Sequence, residues 1–253
     1  MKIIILAAGK GERLMPLTRN TPKPLIDIGD GKTLLEEQID RLQKSGAVDE
    51  IVLVVGYLAE QIEAKLKMLL NTGIKITTVF NPFYELSNNL LSLWLAKHEM
   101  NDQFLITNGD NLFSSDVIRG FTAENRDGIF LSICPEEAME DDNMKVLVHD
   151  NTVTKVSKLI PNKQAHAESP GLVMVSGAKS SRLFKNALEA LARKADLRQG
   201  YWLEVFNHLH DIGVPVRPWE FDGAAHWREI DFHLDIHKAK ALFQLENVKQ
   251  EDV

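Results

Sequence analysis

Through its first hundred or so residues the chain alternates short apolar runs with stretches in which apolar positions recur at helical spacing. Lys2 to Leu6 is apolar without alternation, the pattern of a strand buried on both faces. From Thr33 to Lys44, residues Leu34, Leu35, Ile39 and Leu42 repeat with helical period, and Gly46 stands where a C-cap belongs. The pattern predicts further strands at Ile51 to Val55, Lys75 to Val79 and Phe104 to Thr107. It predicts further helices from Ala59 to Leu70 and from about Asn89 to Lys97. The order βαβαβαβ implies a parallel sheet with helices on both faces. The expected class is therefore α/β, with a Rossmann-like, mixed but mainly parallel sheet flanked by helices.

Beyond Asp110 the pattern loosens. Gly128 to Ile133, Lys145 to Val148 and Thr152 to Val156 read as strands, the last two around a turn at Asp150-Asn151, which gives this half a more antiparallel character. Helices are predicted at Ser180 to Arg193, Trp202 to His210 and Phe232 to Leu245, with a frayed tail from Lys249 to Val253. No repeat, low-complexity segment or Pro/Ser linker divides the chain, so residues 1–253 are expected to form one domain with a mixed extension.

With 253 residues, 44% of them hydrophobic, the chain has material for a sizeable core. A net charge of -7 excludes the broad basic footprint of a nucleic-acid binder, so any phosphate site must be local. Cys134 is the single cysteine, and no charged and apolar leader opens the chain. A reducing cytoplasmic location is the expectation. The apolar runs are much shorter than the roughly 20 residues that span a bilayer, so no membrane association is expected.

Candidate chemistry begins where the first strand runs into Leu6-Ala7-Ala8-Gly9-Lys10-Gly11-Glu12-Arg13. Small residues at the carboxyl end of a parallel strand let backbone N–H groups converge on phosphate oxygens, and Arg13 adds a planar fork of donors. A dinucleotide reading fails because Leu14 replaces the third glycine of that fingerprint, and a P-loop ending at Gly31-Lys32-Thr33 fails because Ile26 stands where a glycine is required. Lys23 lies between Pro22 and Pro24, which restrict the backbone that positions its ammonium. The plainer reading of the glycines is a tight strand-to-helix turn.

Chemistry on a triphosphate calls for charge neutralisation, for which a metal held by two or more carboxylates is the expected partner. Asp110, just past the strand at Phe104 to Thr107, and Asp231, just before the last predicted helix, are the candidates. Alternatively, Asp110 is a turn former and Asp231 a helix cap. Glu229 would orient the site or pair with an arginine. His233 and His237, one helical turn apart, read as surface residues.

The string from Leu6 through Arg13, followed by Thr21-Pro22-Lys23-Pro24-Leu25, resembles the signature of the nucleotidyltransferases that activate sugar phosphates and phosphocholine. The resemblance implies that Leu6, Ala7, Ala8, Gly9 and Gly11 wrap a nucleotide triphosphate, Arg13 stabilises departing pyrophosphate, and Lys23 contacts phosphate at the reacting centre. It also implies that Asp110 and Asp231 are Mg2+ ligands. Within the family, Asn88-Asn89 with Ser92-Leu93, Gly200-Tyr201-Trp202 and Trp227-x-Glu229-Ile230-Asp231 are similar to the bacterial CTP:phosphocholine cytidylyltransferases. That similarity implies CTP as nucleotide, with Asn88 and Asn89 among its contacts.

A cationic acceptor head group fits the aromatic faces and carboxylates of Tyr201, Trp202, Trp227, Glu204 and Glu229. Trp202 and Trp227 are equally readable as core aromatics. Residues 1–112 are then expected to hold the nucleotide and residues 113–253 a small phosphorylated or phosphonate acceptor. Two rival readings stay open: a sugar-1-phosphate transferase using UTP or dTTP, and a nucleotide-binding regulator without turnover.

Overall fold

The computed structural model describes residues 1–236 except 30, 70–72, 125, 136–138 and 195–199. In chain order the first half contains β1 (Lys2–Ala7), β2 (Asp27–Gly29), β3 (Lys32–Thr33), α1 (Leu34–Ser45), β4 (Glu50–Val55), α2 (Ala59–Met68), β5 (Lys75–Phe80), α3 (Asn89–Leu95) and β6 (Gln103–Asn108). The remainder contains β7 (Asn111–Phe113), α4 (Ser115–Thr122), β8 (Gly128–Ile133), β9 (Lys145–His149), β10 (Thr152–Ser157), β11 (Ala167–Glu168), β12 (Val173–Ser176), α5 (Ala178–Ala192), α6 (Glu204–Asp211), β13 (Arg217–Glu220), α7 (Gly223–His226) and β14 (Trp227–Glu229).

The main sheet has seven strands in the order β13-β8-β12-β6-β1-β4-β5. Strands β6, β1, β4 and β5 run parallel. β12 is inserted antiparallel between β6 and β8, and β13 returns parallel to β8. β1 is buried along its whole length, as its unbroken apolar run requires when helices cover both faces. The chain winds outward through β4 and β5 and then returns to place β6 on the other side of β1. In an open α/β sheet such a reversal leaves a crevice at the carboxyl ends of the strands. The glycine loop follows β1 and Asp110 follows β6, so both open into that crevice.

Local signals set the helix boundaries. Thr33 caps α1 by accepting from the Glu36 N–H while the Glu36 carboxylate accepts from the Thr33 N–H, and Gly46 ends the helix at φ 68°. Asp150 and Asn151 take φ 47° and 57° in the β9–β10 turn, the left-handed pair a two-residue hairpin favours. Strands β9, β10 and β11 form a separate antiparallel sheet.

Several elements carried no assignment in the sequence pattern. β12 is four buried residues, α4 contains Gly120, and β7, β13 and β14 have no more than four residues each. The helix predicted over Phe232 to Leu245 lies outside the described residues from position 237 onward, as do His237 and the tail; His233 is exposed. Among the described residues no helix is long and apolar enough to cross a membrane.

Two large apolar clusters fill the two faces of the sheet. A third, smaller cluster joins Leu14, Ile26, Ile28, Leu34, Leu112, Ile230 and Ile236. Its members sit beside the candidate chemistry: Leu14 follows Arg13, Leu112 lies two residues past Asp110, and Ile230 precedes Asp231.

The crevice depends on a close approach at Gly109, whose N–H donates to Leu6 O at 2.8 Å. A Cβ at this position would meet Ala7 Cβ at 2.7 Å and Leu6 O at 2.9 Å. Gly109→Ala is therefore expected to destabilise the fold by about 2 kcal/mol through overpacking, measured as a lower denaturant midpoint at unchanged m-value. Across the sheet face, Glu189 on α5 accepts from Lys97 Nζ, from Trp94 Nε1 at 2.8 Å and from Arg193 Nε at 2.9 Å. These partners, Lys97 foremost and then Trp94 and Arg193, hold its carboxyl down at about 2. The folded value lies below the unfolded one, so this stabilisation is present above the ordinary glutamate range and is lost as pH falls toward 2. The stability difference between wild type and Glu189→Gln is expected to be full at pH 7 and to vanish near pH 2, as followed by urea midpoints across that range.

Candidate active site

The glycine loop leaves β1 and turns at Gly11, which has φ 63°. A Cβ there would meet Thr18 Cγ2 at 3.0 Å and Lys23 Cβ at 3.2 Å, so the glycine lets the Lys23 segment pack directly on the loop. Thr18 Oγ1 and the Leu14 N–H both donate to Gly11 O, at 2.9 and 3.0 Å. Pro22 sits extended and Lys23 opens a short 3-10 turn, with the Leu25 N–H donating to Pro22 O at 2.8 Å. The lysine stem is thereby aimed along the floor of the crevice.

The carboxylates arrive on a two-stranded ladder. β14 pairs antiparallel with β7, placing Glu229 opposite Asn111, and the Ile230 N–H donates to Asp110 O at 3.0 Å. Positions 229 and 231 fall on the same face by strand alternation, while Ile230 points into the third apolar cluster. Asp110, Glu229 and Asp231 each offer a carboxylate oxygen within 4.8 Å of the other two.

Lys23 Nζ donates to Asp110 Oδ2 at 3.0 Å and Asp231 Oδ1 at 2.7 Å. Burial alone would lower the Lys23 pKa, but the charges of Asp110 and Asp231 outweigh it and leave the ammonium held above its ordinary value. Asp231 is likewise pushed upward by burial and pulled further down by Lys23 and Arg13. Arg13 also bonds Asp231, and its guanidinium reaches Asp142 at 3.0 Å and lies 5.6 Å from the Phe232 ring centroid. Glu229 differs from its neighbours: burial first, and then the negative charges of Asp110 and Asp231, raise its carboxyl to about 8. Glu229 is nonetheless exposed to solvent where it lines the crevice, so the upward direction, with Asp110 and Asp231 beside it, is what the geometry supports.

The crevice has a volume of about 470 Å³. It is lined by Leu6, Ala7, Ala8, Gly9, Gly11 and Arg13 on one side and by Lys23, Asp110 and Asp231 on its floor. Asn88, Asn89, Tyr201, Trp202, Trp227 and Glu229 also line it. One placement differs from the sequence expectation. Glu204 is not among the lining residues; at the start of α6 it accepts from the Tyr201 N–H at 3.4 Å, because the helix begins there and turns the side chain outward. Glu229, expected beside the acceptor, lines the crevice next to Trp227 and also joins the carboxylate cluster, for which its alternation with Asp231 was the signal. Asp231, expected as a metal-holding carboxylate with a helix cap as the alternative, directs its carboxylate to Lys23 and Arg13.

The two asparagines are also partnered. Asn88 caps α3, and Asn89 Oδ1 accepts from the Trp202 N–H at 3.0 Å. Asn108, Asp142, Lys158, Glu168 and Ser169 line the crevice without having been singled out. Asn108 could have been noticed directly before Gly109-Asp110. The others come from β9–β11 and adjoining turns, where no motif marks them.

The profile of the nucleotidyl transferase family matches residues 2–160. Over 250 residues the chain is 36% identical to the choline-phosphate cytidylyltransferase of Streptococcus pneumoniae, covering 98% of this chain and 100% of that one. Among solved structures, the inositol-1-phosphate CTP transferase from T. maritima superposes with a TM-score of 0.78 at 25% identity, covering 96% of this chain and 94% of that chain. The CTP:phosphocholine cytidylyltransferase from Streptococcus pneumoniae superposes with a TM-score of 0.70 at 26% identity, covering 96% and 98%. A glycine loop, lysine and carboxylate cluster at the switch point of such a sheet, together with these matches, show that the chain belongs to the nucleotidyl transferase family.

Proposed function

We propose that the protein is a Mg2+-dependent cytidylyltransferase that joins CTP to phosphocholine or a related amino-phosphate or phosphonate and releases pyrophosphate. The observation that carries this reading is the meeting of Lys23 with Asp110 and Asp231 on the floor of the crevice entered by the glycine loop. Similarity to a choline-phosphate cytidylyltransferase along the whole chain supports the choice of nucleotide and acceptor.

The donor set fits the metal. Three carboxylates within reach of one another offer the hard oxygen ligands that Mg2+ takes. Asp110 Oδ1 is buried and has no hydrogen-bond partner, a cost that a cation at this atom would offset. Asp110 and Asp231, with Glu229 beside them, are the residues that would hold it. When bound, the ion supplies charge neutralisation at the triphosphate.

The chain's own groups do the rest. Backbone N–H groups of the glycine loop and the Arg13 fork hold phosphate oxygens. Lys23 stabilises charge at the α-phosphate, where it can act while remaining fully protonated. An acceptor oxygen forms a bond to the α-phosphorus as the bond to the bridging oxygen breaks, and that electron pair leaves with pyrophosphate. The acceptor phosphate is already ionised at neutral pH, so no general base is required; positioning and electrostatics carry the reaction. At the acceptor end an ammonium group already rests on the wall. Lys158 Nζ lies 6.0 Å from the Tyr201 ring centroid and 2.6 Å from Asp142 Oδ1, the aromatic face and carboxylate that a cationic head group needs.

Asp110→Ala is expected to lower kcat by at least about 10²–10³-fold in a pyrophosphate-release assay, with the far-UV circular dichroism unchanged. In a panel of CTP, UTP and dTTP against phosphocholine, aminoethylphosphonate and glucose 1-phosphate, turnover is expected with CTP and an amine-bearing acceptor. Preferred turnover of UTP or dTTP with glucose 1-phosphate would make it a sugar-1-phosphate transferase instead. CTP binding without pyrophosphate release for any acceptor would mark a nucleotide-binding regulator.

A further inference from the structure

Two tryptophans that line the crevice are engaged by their indole edges. Trp202 is fully buried, and its Nε1 donates to Asn108 Oδ1 at 2.9 Å. Trp227 Nε1 donates to Asn111 Oδ1 at 3.0 Å. Asn108 ends β6 and Asn111 begins β7, so these two asparagines bracket the Gly109-Asp110 turn. Each clamp is tied further into the fold. The Trp202 N–H donates to Asn89 Oδ1 at 3.0 Å, and Asn111 Nδ2 donates to Pro170 O at 2.6 Å. The turn between them carries a carboxylate with one buried, unpartnered oxygen. Gly109 and the Ile230 N–H fix the backbone of this turn, and the two asparagines hold it from either side.

We propose that Trp202 and Trp227 are positioning residues for Asp110, acting through Asn108 and Asn111, rather than faces for the acceptor's cation. The inference rests on the reading of Asp110 as a metal-holding carboxylate. In this arrangement the indole N–H is the working group and the ring face is incidental. Replacing tryptophan by phenylalanine therefore removes the function while keeping an aromatic surface. The loss should appear in metal binding and turnover rather than in acceptor affinity.

Trp227 is only partly buried, so Trp227→Phe is the safer variant; Asn111→Ala removes the other partner. Mn2+ alone, titrated into the full-length protein without nucleotide and followed by electron paramagnetic resonance, reads the carboxylate cluster directly. Trp227→Phe and Asn111→Ala are each expected to weaken Mn2+ binding and lower kcat about five- to tenfold, the order expected for one lost hydrogen bond that served a single geometry. The acceptor KM should stay within about twofold, and the double variant should be no worse than the more impaired single one. Trp202→Phe and Asn108→Ala should behave alike, with the indole N–H of Trp202 losing its hydrogen-exchange protection in Asn108→Ala. Wild-type Mn2+ affinity and kcat in Trp227→Phe, a rise confined to the acceptor KM, or multiplicative losses in the double variant would each overturn the proposal. Asp110→Ala serves as the reference. Unchanged Mn2+ binding in that variant would remove the metal reading itself, whereas its loss there with none in the tryptophan variants would remove only this inference.

Discussion

The candidate site depends on a small apolar cluster packed at the edge of the main fold. Leu14 and Ile26, Leu112 and Ile230 come from three regions far apart in sequence, and all are buried in one cluster. Each adjoins or nearly adjoins a charged residue that faces the crevice. Burying these side chains, at about 25 cal/mol per Å² of apolar surface removed from water, is the favourable term available to offset bringing like charges together. Three carboxylates within 4.8 Å repel one another, which adds to burial in pushing the Glu229 carboxyl upward. Lys23 and Arg13 relieve part of it. The cluster and the cations therefore form one unit: apolar packing sets the backbone, and the ion pairs set the side chains.

The main sheet places that unit where a ligand can reach it. The reversal of winding between β1 and β6 leaves their carboxyl ends without a covering connection, so the glycine loop and the Asp110 turn share one opening. Gly109 and Gly11 are two positions where closeness shapes the crevice. The first brings the Asp110 turn against β1, and the second brings the Lys23 segment against the loop. The segments flanking the β9–β11 sheet contribute Asp142 and Lys158, whose ion pair links them to Arg13 across the opening.

The first half of the fold was legible because burial is written into its pattern. β1 and β4 carry continuous apolar runs and β6 a shorter one, and α1 carries both its cap and its C-terminal glycine. β7, β13 and β14 were not legible. They are short and polar in places, and they exist because a partner strand from elsewhere in the chain lies beside them. The same contrast holds in the crevice. Leu6 to Arg13 and Lys23 were found because local backbone chemistry demands glycine and proline there. Asp142 and Lys158 were missed because only tertiary packing brings them to the opening. Trp202 and Trp227 stand out in the sequence, but the direction of an indole N–H is not encoded by sequence spacing, and their pairing with Asn108 and Asn111 is set by tertiary packing alone.

The central claim is that Asp110 and Asp231 hold the ion beside which Lys23 meets the nucleotide. The most direct test is an anomalous difference map from crystals containing Mn2+ and a non-hydrolysable CTP analogue. The account predicts a manganese peak ligated by Asp110 and Asp231, with the α-phosphate next to Lys23 and the other phosphates on the glycine loop. A peak bound elsewhere, or a nucleotide whose phosphates lie away from Gly9 to Arg13, would contradict it.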